Sequence, residues 1–82
     1  MTSQQHKKYI LGETSYLLTR TQRNTITEAL KRESWTLPLW AGIETRRSLA
    51  AKGLAMQVQL QHTWSWTLTQ IGVEVAKLVT ET

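Results

Sequence analysis

The spacing of apolar residues changes at Gly53, and that change constrains the fold more than any other feature of the chain. Before it, Glu44 to Lys52 reads as a helix with Leu49 marking the buried direction. Gly53 stands where a helix wants a left-handed C′ residue, and Lys52 lies beside the negative end of the helix dipole. After it, Met56, Val58 and Leu60 alternate with glutamines from Ala55 to Gln61, and Trp64-Ser65-Trp66-Thr67-Leu68 repeats the alternation. This is the period of half-buried strands, so the spacing predicts two strands joined by a turn near Gln61 to Thr63. No Asn-Gly or Asp-Gly fixes the type of that turn. Thr69 is then the N-cap of a helix from about Gln70 to Thr80. Its apolar set of Ile71, Val75, Leu78 and Val79, with Val73 and Ala76 nearby, covers an arc wide enough to serve both the core and a second subunit.

Upstream, Thr19-Arg20-Thr21-Gln22 has the spacing of a capping box, which predicts a helix from about Arg20 to Glu33. Ile26, Ala29 and Leu30 fall on one stripe of it, while Arg23, Thr27, Lys31 and Glu28 or Arg32 spread around the rest. The segment Ser34 to Gly42 is rich in large apolar groups, but Pro38 removes a donor and pushes Leu37 away from helical angles. It reads as a compact connection with room for a single helical turn. The first eight residues read as a solvated arm. Tyr9-Ile10-Leu11 and Tyr16-Leu17-Leu18 are two apolar clusters around Gly12 to Ser15, compatible with strands, a frayed helix or two segments packed over the core. The expected organisation is therefore an N-terminal arm or extension over 1–18 and one folded domain over 19–82.

Composition limits the functions open to such a domain. At 82 residues the chain is a single module that buries roughly two-thirds of its unfolded surface. No apolar run approaches the length of about 20 residues that a membrane span needs, and the polar N-terminus is no secretory signal, so a cytoplasmic location is expected. The absence of cysteine excludes disulfides, thiolate zinc sites and thiol catalysis. His6 and His62 have no partner at helical metal-site spacing, the six carboxylates are scattered, and there is neither a Gly-x-Ser-x-Gly context nor a Gly-rich phosphate loop. No catalytic activity, metal, cofactor or small-molecule substrate is expected. The formal charge is +4, and seven of the ten basic residues, Arg20, Arg23, Lys31, Arg32, Arg46, Arg47 and Lys52, lie between Arg20 and Lys52 against only Glu28, Glu33 and Glu44. That concentration suits a polyanionic partner.

The pattern Leu49-x-x-x-Gly53-Leu54, a strand, then Trp66-x-Leu68-Thr69-x-x-Gly72-x-x-x-Ala76 resembles winged helix-turn-helix transcriptional regulators of the MarR and PadR groups. The resemblance covers Glu44 to Val79 and, more loosely, Thr19 to Glu33. It implies a small α+β domain of three main helices and a β-hairpin wing, here with a shortened second helix. It also implies that the helix from Glu44 enters a major groove, that residues near His62 follow the backbone or minor groove, and that dimers read paired half-sites.

On that reading the partner is double-stranded DNA and the chain is a transcriptional regulator, a repressor acting by occlusion. Taking about 100° per residue, Arg47, Ser48, Ala51 and Glu44 point away from Leu49, while Arg46 lies nearer the core edge. Thr45, Arg46, Arg47 and Ser48 are the groove candidates. Lys52, Arg20, Arg23, Lys31 and Arg32 are the phosphate candidates, and Gln61, His62 and Thr63 are the wing-tip candidates. A homodimer through the C-terminal helix or the N-terminal segment would supply the second half-site. Trp35 and Trp40 sit among leucines, and Trp64 and Trp66 share one strand face, which suits core or interface packing more than base stacking. Trp64, nearest the wing tip, is the exception. The rival expectation is a protein-interaction module, an inhibitor or adaptor, contacting its partner through Leu39, Trp40, Trp64 and Trp66. Exposed tryptophans with dispersed charge favour the module, whereas buried ones beside a strongly positive face favour the regulator.

Overall fold

The computed structural model describes residues 6–81. It is a small α+β fold with the order β1 (Lys7–Leu11), β2 (Thr14–Leu18), α1 (Arg20–Lys31), a 3₁₀ turn (Glu33–Trp35), α2 (Ile43–Ala51), β3 (Ala55–Leu60), β4 (Thr63–Leu68) and α3 (Gln70–Glu81). β1 pairs antiparallel with β2, and β3 with β4, as two separate hairpins. Thr36 adds an antiparallel bridge to Thr67, and the Leu37 N–H donates to the Trp66 carbonyl at 2.9 Å, so the free edge of β4 carries a short third segment. No described helix is long and apolar enough to cross a membrane.

Local chemistry explains where the helices begin and end. Thr19 and Gln22 form both arms of the capping box, at 2.8 Å and 3.1 Å, and start α1. At the end of α2, Gly53 takes φ +80, its N–H donates to Ala50, and the Leu54 N–H donates to Leu49. These two bonds are the Schellman arrangement, and Leu49 and Leu54 are both fully buried beside it. The Thr69 hydroxyl accepts the Gly72 N–H at 3.0 Å and caps α3.

Almost every element sends one fully buried side chain into a common core: Leu18 from β2, Ile26 from α1, Leu49 from α2, Leu68 from β4 and Val75 from α3, with Leu54 between α2 and β3. Tyr9 of β1 joins the same cluster. The expected arm or extension over 1–18 is thus, from Lys7 onward, a hairpin that shares the core, with Gly12 at φ +64 in its turn. Lys7 and Lys8, assigned to a solvated arm, lie in β1 and remain exposed. The part of that arm over 1–5 lies outside the described residues.

Two packing expectations need correction. Met56 and Leu60 are exposed and Val58 only half-buried, because the hairpin projects past the helices and is covered only at its base, where Ala55, Thr67 and Leu68 are buried. Trp35 and Trp40 are exposed, which removes the core half of the expected core or interface packing. Ser34 and Trp35 both adopt left-handed angles, φ 60 and φ 56, which swing the chain out of α1 and towards β4. The predicted helix to Glu33 stops earlier, at Lys31, because Arg32 already takes extended angles, φ -92 and ψ 157. On α3, Val73, Val75 and Ala76 are consumed by this chain's own core, and Ile71 is the large side chain left exposed.

Gly72 is required by contact rather than by backbone angle. A Cβ there would overlap the Leu54 carbonyl oxygen and come within 3.0 Å of the carbonyl carbon. Gly72→Ala should cost about 3 kcal/mol in urea unfolding, the upper end of the usual overpacking range. Gly53→Ala, where the added methyl meets open space but φ is +80, should cost about 1 to 2 kcal/mol.

The turn of the second hairpin offers the opposite test. Gln61 and His62 adopt φ 50 and φ 69, the angles of a type I′ turn that favours Asn-Gly. Gln61→Asn with His62→Gly should raise stability by about 1 kcal/mol, read from the same unfolding midpoints.

Candidate nucleic-acid interface

The β3–β4 hairpin, α2 and the Pro38–Ala41 turn build the candidate surface. The turn is closed by the Ala41 N–H donating to the Pro38 carbonyl at 3.1 Å, with Pro38 and Ala41 buried and Leu39 and Trp40 turned outward. Gly42 then opens α2 without a side-chain cap.

Along α2 the four groove candidates separate into different environments. Arg47 is exposed, on the side facing away from Leu49, with Glu44 on the same outward side. Thr45 is half-buried and its carbonyl accepts the Ser48 hydroxyl at 2.9 Å. Ser48 in turn accepts from the Gln22 side-chain amide at 2.8 Å, so it is tied to α1 rather than free to meet a ligand. Arg46 is half-buried, donates through Nη2 to the Pro38 carbonyl at 3.4 Å, and has a buried Nε with no hydrogen-bond partner.

The phosphate candidates divide between the two ends of α1, about 16 Å apart along its axis. Arg20 is exposed at the start, and Arg23 sends Nη1 to the Leu18 carbonyl at 2.9 Å. Lys52 lines a shallow depression near that end with Gln22, Ser48 and Leu17. Lys31 and Arg32 lie exposed at the other end, where the Arg32 Nε donates to the Thr36 hydroxyl at 3.4 Å. Gln61, His62 and Thr63 are exposed at the wing tip. The structure therefore brings Arg32 and Arg46 into one cleft beside the wing and leaves Arg20 and Arg23 at the far end of α1.

No protein family, curated protein or solved structure matches this chain.

The tryptophan exposures bear on the choice left open by the sequence between core packing and an interface. Leu39, Trp64 and Trp40 are 88%, 65% and 59% exposed, and Trp66 is half-buried. Among the described residues, no group of three or more histidine and acidic side chains gathers to hold a metal.

Gln22 was read as a cap and has a second task. It closes the capping box and also ties α1 to α2 through Ser48. Gln22→Ala should lower stability by about 2 kcal/mol, one part for the cap and one for the buried bond. Gln22→Glu keeps the cap and loses the donor to Ser48, so it should cost about half as much by thermal unfolding.

Proposed function

We propose that this chain is a cytoplasmic winged-helix protein that binds double-stranded DNA sequence-specifically and represses transcription by occluding an operator. The observation that carries the reading is the place of Thr36 on the outer edge of β4. A winged helix runs helix, short strand, second helix, third helix, hairpin, and pairs the short strand with the far strand of the hairpin. Here α1, the Thr36 segment, the Pro38–Ala41 turn, α2 and the β3–β4 hairpin follow that order, with one turn standing where the second helix would be. The α+β fold and the Schellman end of α2 agree with it.

In this reading Arg47 is the base-contacting side chain, because it is the exposed basic residue on the outward side of α2. Arg20, Lys31 and Arg32 are placed for phosphates, as are Arg23 and Lys52, and the wing tip follows the flanking backbone. Thr45 and Ser48 support the helix more than they contact the groove. A second copy reading the neighbouring half-site completes the proposal.

A protein-interaction module, acting as an inhibitor or adaptor, is the second reading, and both the exposure of Leu39, Trp40 and Trp64 and the spread of the basic residues over the two ends of α1 favour it. The two part in a titration of labelled duplex DNA of random sequence, followed by anisotropy across a salt series. The regulator reading expects binding that weakens steeply with salt and an Arg47→Ala variant whose log-log slope is smaller by about 1. Absence of binding at low salt removes it in favour of the module.

A further inference from the structure

Between the wing and the Pro38–Ala41 turn lies an open cleft of about 360 Å³. Trp64 and Trp66 line it from β4, Leu39 from the turn, Arg32 from the end of α1 and Arg46 from α2. No carboxylate is among its described lining residues. Its size falls within the range of about 300 to 1,000 Å³ usual for small-ligand sites.

The chemistry of this lining is specific. Trp64 and Leu39 expose large apolar surface to water beside two guanidinium groups. Arg46 makes one long bond, from Nη2 to Pro38, and its Nε is buried without a partner, so the donors it can turn to a ligand are its terminal Nη groups. An open indole next to under-satisfied guanidinium donors suits a flat apolar ring joined to an anion. A nucleotide has that composition. The cleft also adjoins the wing, whose tip the DNA reading places along the phosphate backbone.

We infer that the cleft takes an unstacked nucleotide, with its base on Trp64 and its phosphate on Arg46 and Arg32. The chain then has a binding mode for single-stranded or locally opened DNA, distinct from the duplex mode centred on Arg47. This rests on the nucleic-acid reading above. Base stacking is sequence-tolerant, so the cleft contributes affinity for strand character and not for a particular base.

The test uses the full chain, a short labelled oligothymidylate and a labelled duplex, read by anisotropy and by tryptophan fluorescence. The oligothymidylate should quench the protein. Trp64→Leu should remove most of that quench and weaken strand binding at least about tenfold, while Trp64→Phe, which keeps a ring, should retain most of the affinity. Arg46→Gln should weaken strand binding and flatten its salt dependence. Trp40→Leu, an exposed tryptophan outside the cleft lining, should leave the strand affinity unchanged, and circular dichroism should report an unaltered fold for each variant. Duplex affinity should shift far less than strand affinity in Trp64→Leu. Duplex binding without strand binding, or a quench that survives Trp64→Leu, overturns the cleft proposal and leaves the duplex reading in place. Failure to bind either nucleic acid overturns both and returns Trp64 and Leu39 to the protein-partner reading.

Discussion

The fold hangs on the corner where α2 ends, the β3–β4 hairpin begins and α3 departs. Gly53 turns the chain left-handed, Leu54 points its carbonyl at α3, and two hydrogen bonds from Thr69 hold the two segments together while a third caps α3. The Thr69 hydroxyl donates to the Gly53 carbonyl at 2.7 Å and accepts the Gly72 N–H, while the Thr69 N–H donates to the Leu54 carbonyl at 3.0 Å. Gly72 has no Cβ, and only that absence lets the Leu54 carbonyl lie against the first turn of α3. Because Ala55 pairs with Leu68 one step further along, this corner also sets the register of the wing. The direction in which the hairpin projects, and hence the position of Trp64 beside the turn, follows from it.

What could be read in the sequence was what local chemistry decides. Thr19 with Gln22, Gly53 and Thr69 each act within a few residues of themselves, and each forms the cap its identity suggests. The strands around Gln61 and His62 were also readable, since alternation survives even where nothing covers it. Burial of Met56 and Leu60 was not readable, because it depends on whether another layer reaches that far out, and none does. Ser48 and Arg46 were misleading for a related reason. Their helical angles are close to those expected, but Gln22 comes from α1 to cover one and the Pro38 carbonyl curls back to engage the other. Helical geometry gives a direction and cannot give what lies in it.

The surface holds two tendencies that compete for a functional explanation. Basic residues dominate from Arg20 to Lys52, which suits phosphate contact, yet the structure spreads them over both ends of α1. The large apolar groups are gathered more tightly, with Leu39, Trp64 and Trp66 lining one cleft and Trp40 next in sequence to Leu39. A small domain gains most from burying such groups, so tryptophans left in water around two arginines are a stronger pointer to a ligand than dispersed charge is. The cleft is where both tendencies meet.

Arg46 links that cleft to the stability of the Pro38–Ala41 turn. Pro38 accepts from Ala41 within the turn and from Arg46 across it, so one carbonyl fastens the turn to α2. The bond from Arg46 is long, at 3.4 Å, and therefore weak. A phosphate is a better acceptor than a carbonyl for a guanidinium, since it adds the attraction of opposite charges and can take two parallel N–H bonds. A ligand that engages Arg46 would draw it from Pro38 and loosen the turn, while the base stacked between the turn and the wing would hold the same two elements together. Binding in the cleft as proposed would thus exchange an internal tie for one made through the ligand.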